Sequence, residues 1–520
     1  MRLRPWLLAL VAATLACNTL LPTATPTRAA TRLAPSLAPP NQTVTTAATG
    51  TSAPLLTPLP APSLTPAPSA TAPPATAPTA APTPLPAASP ANSGLAGQAR
   101  TCDYVPGVSV PAQLPSSLLT EGTPTPVPPP PLPTNTPVDA ATNTRHLQVF
   151  HDLVSTIDQD YVYTDVIKTR VPALQQQYEA LVAAGLTDDG FYEAMHDLIN
   201  ALGDDHSNFE SPAEAAQTDA AFSGNNDFVG IGISVRAVPE TGAAVIVLVF
   251  PGGPAAAAGL RSHDSITAVD GQPVLDANGA IRDVLRGPAG TSMVLTIQRP
   301  GQPSFKLTLQ RQRITGPLPI DYCLMPAARV GYIYLPGLDD ATIPDQVRAA
   351  LRQLTAGGPL SGLVIDNREN GGGLATVLDD LLSLFTHGTL GQFVFRDQAR
   401  QLVVTPQDVG GSQAVPLVVL VGEDTVSYGE VFSGLLQISG RAAVVGQRTL
   451  GNVETEWAYS FKDGSRVWLA HELFQPPGLP AGVWEGLGIA PDVKVPVRWD
   501  LFSEATDPAL AAALARLHRQ

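Results

Sequence analysis

Between Leu33 and Ala99 the chain contains no Asp, Glu, Lys, Arg or His. Pro, Ala, Thr and Ser fill the segment instead, and such a stretch buries too little apolar surface to offset chain entropy. Its prolines favour an extended polyproline II backbone. A semi-rigid spacer, open to O-glycosylation, is therefore expected there. Lysine is scarce throughout: Lys168, Lys306, Lys462 and Lys494 are the only ones. Any chemistry that needs a lysine amine has few candidates. Cysteine is scarcer still, with Cys17, Cys102 and Cys323 alone. No CxxC pair or clustered Cys/His set points to a metal, and no cofactor is expected. The formal net charge is −15, which argues against a nucleic-acid ligand.

The front of the chain reads as an export signal. Arg2 and Arg4 precede the apolar run Trp6–Leu15, too short to span a bilayer as a helix, and small residues lead into Cys17. Residues 1–16 are expected to be removed. Thr14-Leu15-Ala16-Cys17 resembles a bacterial lipobox, with Thr14 where Leu is usual. Cleavage after Ala16 fits either lipidation of Cys17, which would anchor the protein to the outer face of a membrane, or plain secretion. Residues 17–140 make the stalk, closed by a second Pro-rich patch at Thr123–Pro137. With Cys17 lipidated, Cys102 and Cys323 remain as an even pair in an oxidising compartment, and a disulfide is expected between them.

Beyond the stalk the pattern changes three times. Residues 141–222 place apolar positions at helical spacing, as in LQVFHDLVSTI and FYEAMHDLINAL, and predict a helical subdomain. Residues 223–313 are β-rich, with GIGISV, AAVIVLVF and VLTIQRPG. Residues 314–500 alternate: VGYIYL, a helix through Val347–Leu354, GLVIDNRENGGG, a helix over Thr376–Leu384, PLVVLVG and AAVVG. That order predicts an α/β fold with a mixed, mainly parallel sheet and helices against its faces. A terminal helix at Pro508–Leu517 lies within residues 501–520.

The apolar run Leu417–Val421 leads into Ser427, and a helical pattern follows at once. A hydroxyl so placed stands at a helix N-terminus, where free N–H groups and the macrodipole favour developing negative charge. The same letters also fit a capping box, Ser427 with Glu430 three residues on, which is a structural device. Both readings stay open on this segment alone.

Residues 223–313 resemble a PDZ domain. Gly230-Ile231-Gly232-Ile233 matches the loop whose backbone N–H groups receive a peptide's terminal carboxylate. PGGPAAAAGL, Asp264 and Val269-Asp270-Gly271 match later parts, while His263 stands where Gly is common. The resemblance implies β-augmentation, with a peptide or protein C-terminus as partner. A PDZ module ahead of an α/β core with this serine resembles the carboxyl-terminal processing (tail-specific) serine peptidases, whose core is ClpP/crotonase-like. LGDDHSNFESP (Leu202–Pro212), GLVIDNRENGGG (Gly362–Gly373), SYGEVFSGLL and WEGLGIAPDVKV (Trp484–Val495) match the family's motifs in order.

The departure is at the general base. Members with a Ser–Lys dyad place Lys 25 residues after the serine, where this chain has Asn452. An amide cannot take a proton from a hydroxyl at neutral pH, so that dyad is absent. The family's later Gln position holds Glu456. Some relatives, notably the tricorn protease, resemble this chain but use a histidine as base with a carboxylate nearby. His206 in DDHS and Glu485 in WEGLG stand at the matching motifs. The resemblance implies Ser427 as nucleophile, His206 as base and then acid, and Glu485 orienting or stabilising the imidazolium. The Tyr428 amide and one from Gly371 or Gly372 would hold the oxyanion. The fold must then bring His206 to Ser427 across the PDZ insertion; otherwise His206 merely ends a helix. The expectation is a secreted or lipid-anchored serine endopeptidase acting on peptides or unfolded protein tails. The alternative is an inactive PDZ-containing peptide binder.

Overall fold

The computed structural model describes residues 99–104, 132–204 and 206–519. Residues 1–16, expected to form an export signal, Cys17 and most of residues 17–140 lie outside the described residues. The body is built on a seven-stranded sheet. Its spatial order is Arg100–Thr101, Asp321–Met325, Val330–Tyr334, Gly362–Asp366, Leu417–Val421, Ala442–Gly446 and Val493–Lys494. Neighbours run parallel except Asp321–Met325 against Val330–Tyr334. The four central strands are buried along their whole length. Helices on both faces exclude water, which is why these strands read as unbroken apolar runs. Ile343–Thr355, Ala375–Phe385 and Tyr428–Ile438 pack on one face, and Pro508–Leu517 packs on the other.

A second sheet holds Gln398–Val404, Gly388–Phe395, Arg466–Gln475 and Thr455–Ser460. The short strand Asn208–Glu210 joins it antiparallel, with Phe209 opposite Val467. Helices Ala140–Asp160, Val171–Ala183 and Asp188–Asn200 bury Phe150, Leu153, Phe191 and Leu198 around Phe209, Val467 and Leu469. This docking carries the turn before Asn208 to the core.

The inserted domain is a sheet in the order Ile233–Val238, Ala243–Val249, Ser265–Val269, Ser292–Gln298 and Phe305–Gln310. The chain enters and leaves it through Asn226–Gly230 and Gln312–Gly316, which pair antiparallel. Ile233–Val238 is an edge strand, paired on one side only among the described residues. His263 has φ 74°, in the left-handed region where glycine is the usual occupant. It is buried, and its Nδ1 lies 3.0 Å from the Trp499 carbonyl oxygen. Cys102 and Cys323 are joined as a disulfide with Cα atoms 5.1 Å apart. The bond and the Arg100–Thr101 ladder hold this segment to the sheet edge. Among the described residues no helix is long and apolar enough to cross a membrane.

Candidate active site

Ser427 sits between the buried strand Leu417–Val421 and the helix Tyr428–Ile438, with φ 55° and ψ −128°. A non-glycine residue there costs on the order of 1–3 kcal/mol and persists only when its surroundings hold it. They do so from two sides. The Val426 amide donates to the Asn370 carbonyl at 2.9 Å, and the Ser427 amide to the Asn452 carbonyl at 2.8 Å. The Thr425 hydroxyl donates to the Asn367 carbonyl at 2.8 Å. The Ser427 side chain makes no capping hydrogen bond. Glu430 turns instead to the loop after the next strand, accepting from the Thr449 hydroxyl, the Gly451 amide at 2.8 Å and the Asn452 amide at 3.0 Å. The capping box is therefore not formed, and the hydroxyl is left for the cavity.

The loop Asn367–Gly373 forms the wall facing that hydroxyl. Asp366 and Arg368 are a buried ion pair, with the Tyr332 hydroxyl donating to Asp366 at 2.7 Å and Asp507 on the guanidinium at 2.8 Å. Asn370 Nδ2 donates to Asn367 Oδ1 at 2.7 Å, and Asn367 Nδ2 to the Gly429 carbonyl at 2.9 Å. Loop and helix are thus tied together. Gly372 has φ +90°, and a Cβ there would stand 2.5 Å from Ser427 Cβ and 2.9 Å from its Oγ. Only glycine fits. The Gly372 amide donates to Asn370 Oδ1 at 2.9 Å, so it is not available for an oxyanion. A Cβ at Gly371 would meet open space. The Tyr428 N–H stands in the first helical turn, where no intrahelical acceptor exists.

His206 reaches the same place through the Asn208–Glu210 strand. Asp204 caps the preceding turn, accepting from the His206 amide at 3.0 Å and the Ser207 amide at 2.9 Å. The Ser207 hydroxyl in turn accepts from the Ala470 amide at 2.9 Å. The preceding helix ends at Asn200, and Arg170 donates to the Ala201 and Leu202 carbonyls beyond it, so His206 does not close the helix. Ser427, His206 and Gly371–Gly373 line one cavity of about 450 Å³, together with Asp339, Glu454, Glu456, Phe222 and Trp468. No lysine lines it, and Asn452 meets Ser427 through its backbone. Among the described residues no hydrogen bond joins Ser427 Oγ to His206.

The imidazole lies between two carboxylates. Nδ1 is 3.4 Å from Glu454 Oε2, and Nε2 is 3.6 Å from Glu456 Oε2. Burial alone would lower the pKa of His206, but contact with Glu454 and the charges of Glu456, Glu454 and Asp204 outweigh it and push it up to about 9. Burial pushes Glu456 up to about 7. Burial and the neighbouring Glu454 push Glu485 up to about 8. Glu454 itself is held low: burial opposes this, yet contacts with His206, Glu485 and Tyr163 prevail.

Direct contact with the imidazole comes from Glu454, while the charge of Glu485 acts on the ring from behind it. Glu485 accepts the Val453 amide at 2.8 Å and stands behind Glu454, which makes the contact with His206. Glu454 is the functional candidate that the sequence reading missed. The only signal for it was the alternation Glu454-Thr455-Glu456 at a strand start.

In the inserted domain, Gly230–Gly232 are buried; Gly232 has φ +74° and Ile233 opens the edge strand. The Ile231 carbonyl accepts from the Ala255 amide, and the Gly232 carbonyl from the Phe250 amide, each at 2.9 Å. Arg236, on that edge strand, pairs with Asp424 and with Glu369 at 3.5 Å, one residue from each wall of the catalytic cleft.

Residues 329–495 match the model of peptidase family S41, and residues 245–299 match a PDZ domain. The chloroplastic C-terminal processing peptidase of Tetradesmus obliquus is 32% identical over 321 residues, covering 58% of this chain and 68% of that protein. The carboxyl-terminal-processing protease of a Synechocystis strain is 30% identical over 325 residues, covering 61% of this chain and 74% of that one. A solved S41 protease from Bacteroides fragilis has a TM-score of 0.50 at 18% identity, over 71% of this chain and 97% of that chain. That last likeness is one of fold.

Proposed function

The chain belongs to the carboxyl-terminal processing peptidases of family S41, and on that premise we propose that it is an exported endopeptidase whose nucleophile is Ser427 and whose base is His206. It is a serine-type peptidase that carries a PDZ domain. The observation that carries the site assignment is the shared cavity: an uncapped serine in a strained backbone, a glycine loop against it and an imidazole in one enclosure. Ser427 attacks the scissile carbonyl while His206 takes its proton and later gives it to the leaving amine. The oxyanion rests on the Tyr428 and Gly371 amides, each worth about 3 kcal/mol of transition-state stabilisation. Glu454 orients the imidazole, with Glu485 behind it. The PDZ edge strand and its Gly230–Ile233 turn take the free C-terminus of a peptide or unfolded protein. The lipobox-like Thr14–Cys17 supports export, with Cys17 as the anchor to the outer face of the membrane or as a plain mature N-terminus.

Incubation with an unfolded protein, followed by mass spectrometry of the products, tests this reading. Internal cleavages that vanish in Ser427→Ala support it, and an intact substrate at all times sinks it. One observation favours a second reading, an inactive peptide binder: Nε2 faces Glu456 and no hydrogen bond joins it to Ser427. In that case the free-carboxylate peptide binds and is never cut.

A further inference from the structure

A histidine base keeps one ring nitrogen on an orienting acid and offers the other to the nucleophile. Here both nitrogens face carboxylates. Glu454 directly precedes the strand Thr455–Ser460, and Glu456 lies in it just past an irregularity in register. Glu454 is 1% exposed and fixed, its Oε1 accepting from the Tyr163 hydroxyl. Glu456 is less enclosed: its side chain keeps 21% exposure, and its Oε1, like Glu454 Oε2, has no hydrogen-bond partner among the described residues. Among the described residues, the other ionisable groups near the ring and its carboxylates include Asp204 on its own turn, Glu485 and Tyr163 at Glu454, Glu210 beside Glu456 and Asp339 in the cavity wall. Glu210 is already paired with Arg466 at 2.8 Å. Among the described residues neither Lys nor Arg lines the cavity.

We propose that Glu456 is a positioning residue for the reaction: its carboxylate holds the Nε2 edge of His206 as the imidazolium in the resting site, and the ring serves Ser427 only after its Nε2 proton has left to solvent. The inference rests on Ser427 and His206 being nucleophile and base. In the resting site the ring is protonated on both nitrogens. The Nε2 proton leaves to water, and a neutral imidazole then stands beside the Glu456 carboxylate. Nε2 then accepts the Ser427 proton as Oγ bonds the carbonyl carbon, and the carbonyl π pair becomes the oxyanion.

The test is the pH dependence of kcat/KM on a fluorogenic peptide, using the full chain and the variants Glu456→Gln, Glu456→Asp and His206→Ala. In the wild type the acidic limb lies above neutral, because a ring held up to about 9 must first lose a proton. Glu456→Gln removes the charge beside Nε2, so the limb moves to lower pH by about one unit or more. Glu456→Asp draws the charge back by one methylene and moves the limb the same way by less. A role confined to packing leaves both limbs where the wild type has them, and that result overturns the inference. If Glu456→Gln does not fold, the Asp variant decides. An inactive His206→Ala with unmoved limbs removes the inference alone; a fully active His206→Ala removes the underlying reading with it.

Discussion

Gly372 and Ser427 are in contact so close that each fixes the identity of the other. A methyl group at Gly372 would overlap the serine side chain, so Gly372→Ala is expected to lower kcat/KM by about 100-fold, the scale of an ångström-sized misplacement. Steady-state kinetics beside an unchanged far-ultraviolet circular dichroism spectrum checks this. His206→Ala should lose activity as severely as Ser427→Ala, about 10⁴-fold or more, since nucleophile and base act as a unit. Asn452→Ala keeps the backbone carbonyl that holds the Ser427 amide, so it should cost far less. Near-full activity in His206→Ala would end the base assignment. At this scale the sequence was informative where a motif fixes a backbone, as at Ser427 and Gly371–Gly373. It was silent on Glu454, whose contact with His206 exists only because residues 208–210 pair with 466–468. No local pattern encodes a pairing across more than 250 residues.

The short strand Asn208–Glu210 does for the site what no catalytic residue does, since it holds the helical subdomain and His206 against the core. Phe209 is fully buried in that junction. Phe209→Ala is expected to cost about 3–5 kcal/mol and to lower activity with it; denaturant titration and kinetics together read this. Unchanged activity in the destabilised protein would mean that the junction does not position His206. The edge strand Ile233–Val238 makes a different prediction. A peptide with a free, apolar C-terminus should bind, and amidation should weaken it sharply, because the loop amides receive a carboxylate. Equal binding of acid and amide by fluorescence polarisation would remove this domain from substrate capture. The central strands were legible as apolar runs because they are buried on both faces. The hairpin Gly388–Phe395 with Gln398–Val404 was not, since the second strand buries few of its residues and shows no steady alternation.

On the scale of the whole molecule, a charge-free proline-rich segment leads into a body that grips its own N-terminal end. The disulfide Cys102–Cys323 closes a loop across a sequence separation of 221, and Arg100 pairs with Asp321 and with Glu504 beside it. Chain-entropy arguments give loops of this length up to about 5 kcal/mol. The double variant Cys102→Ser/Cys323→Ser should therefore shift the denaturant midpoint down while leaving kcat/KM on short peptides near the wild-type value. A midpoint that does not move would make the clip dispensable for stability. The central claim is that Ser427 is a nucleophile activated by His206. Fluorophosphonate labelling read by intact mass tests it most directly, with wild type, Ser427→Ala and His206→Ala side by side. The account predicts one adduct on Ser427 in the wild type, none in Ser427→Ala and a severely slowed reaction in His206→Ala. An unlabelled wild-type protein, or His206→Ala labelled as fast as wild type, would contradict it.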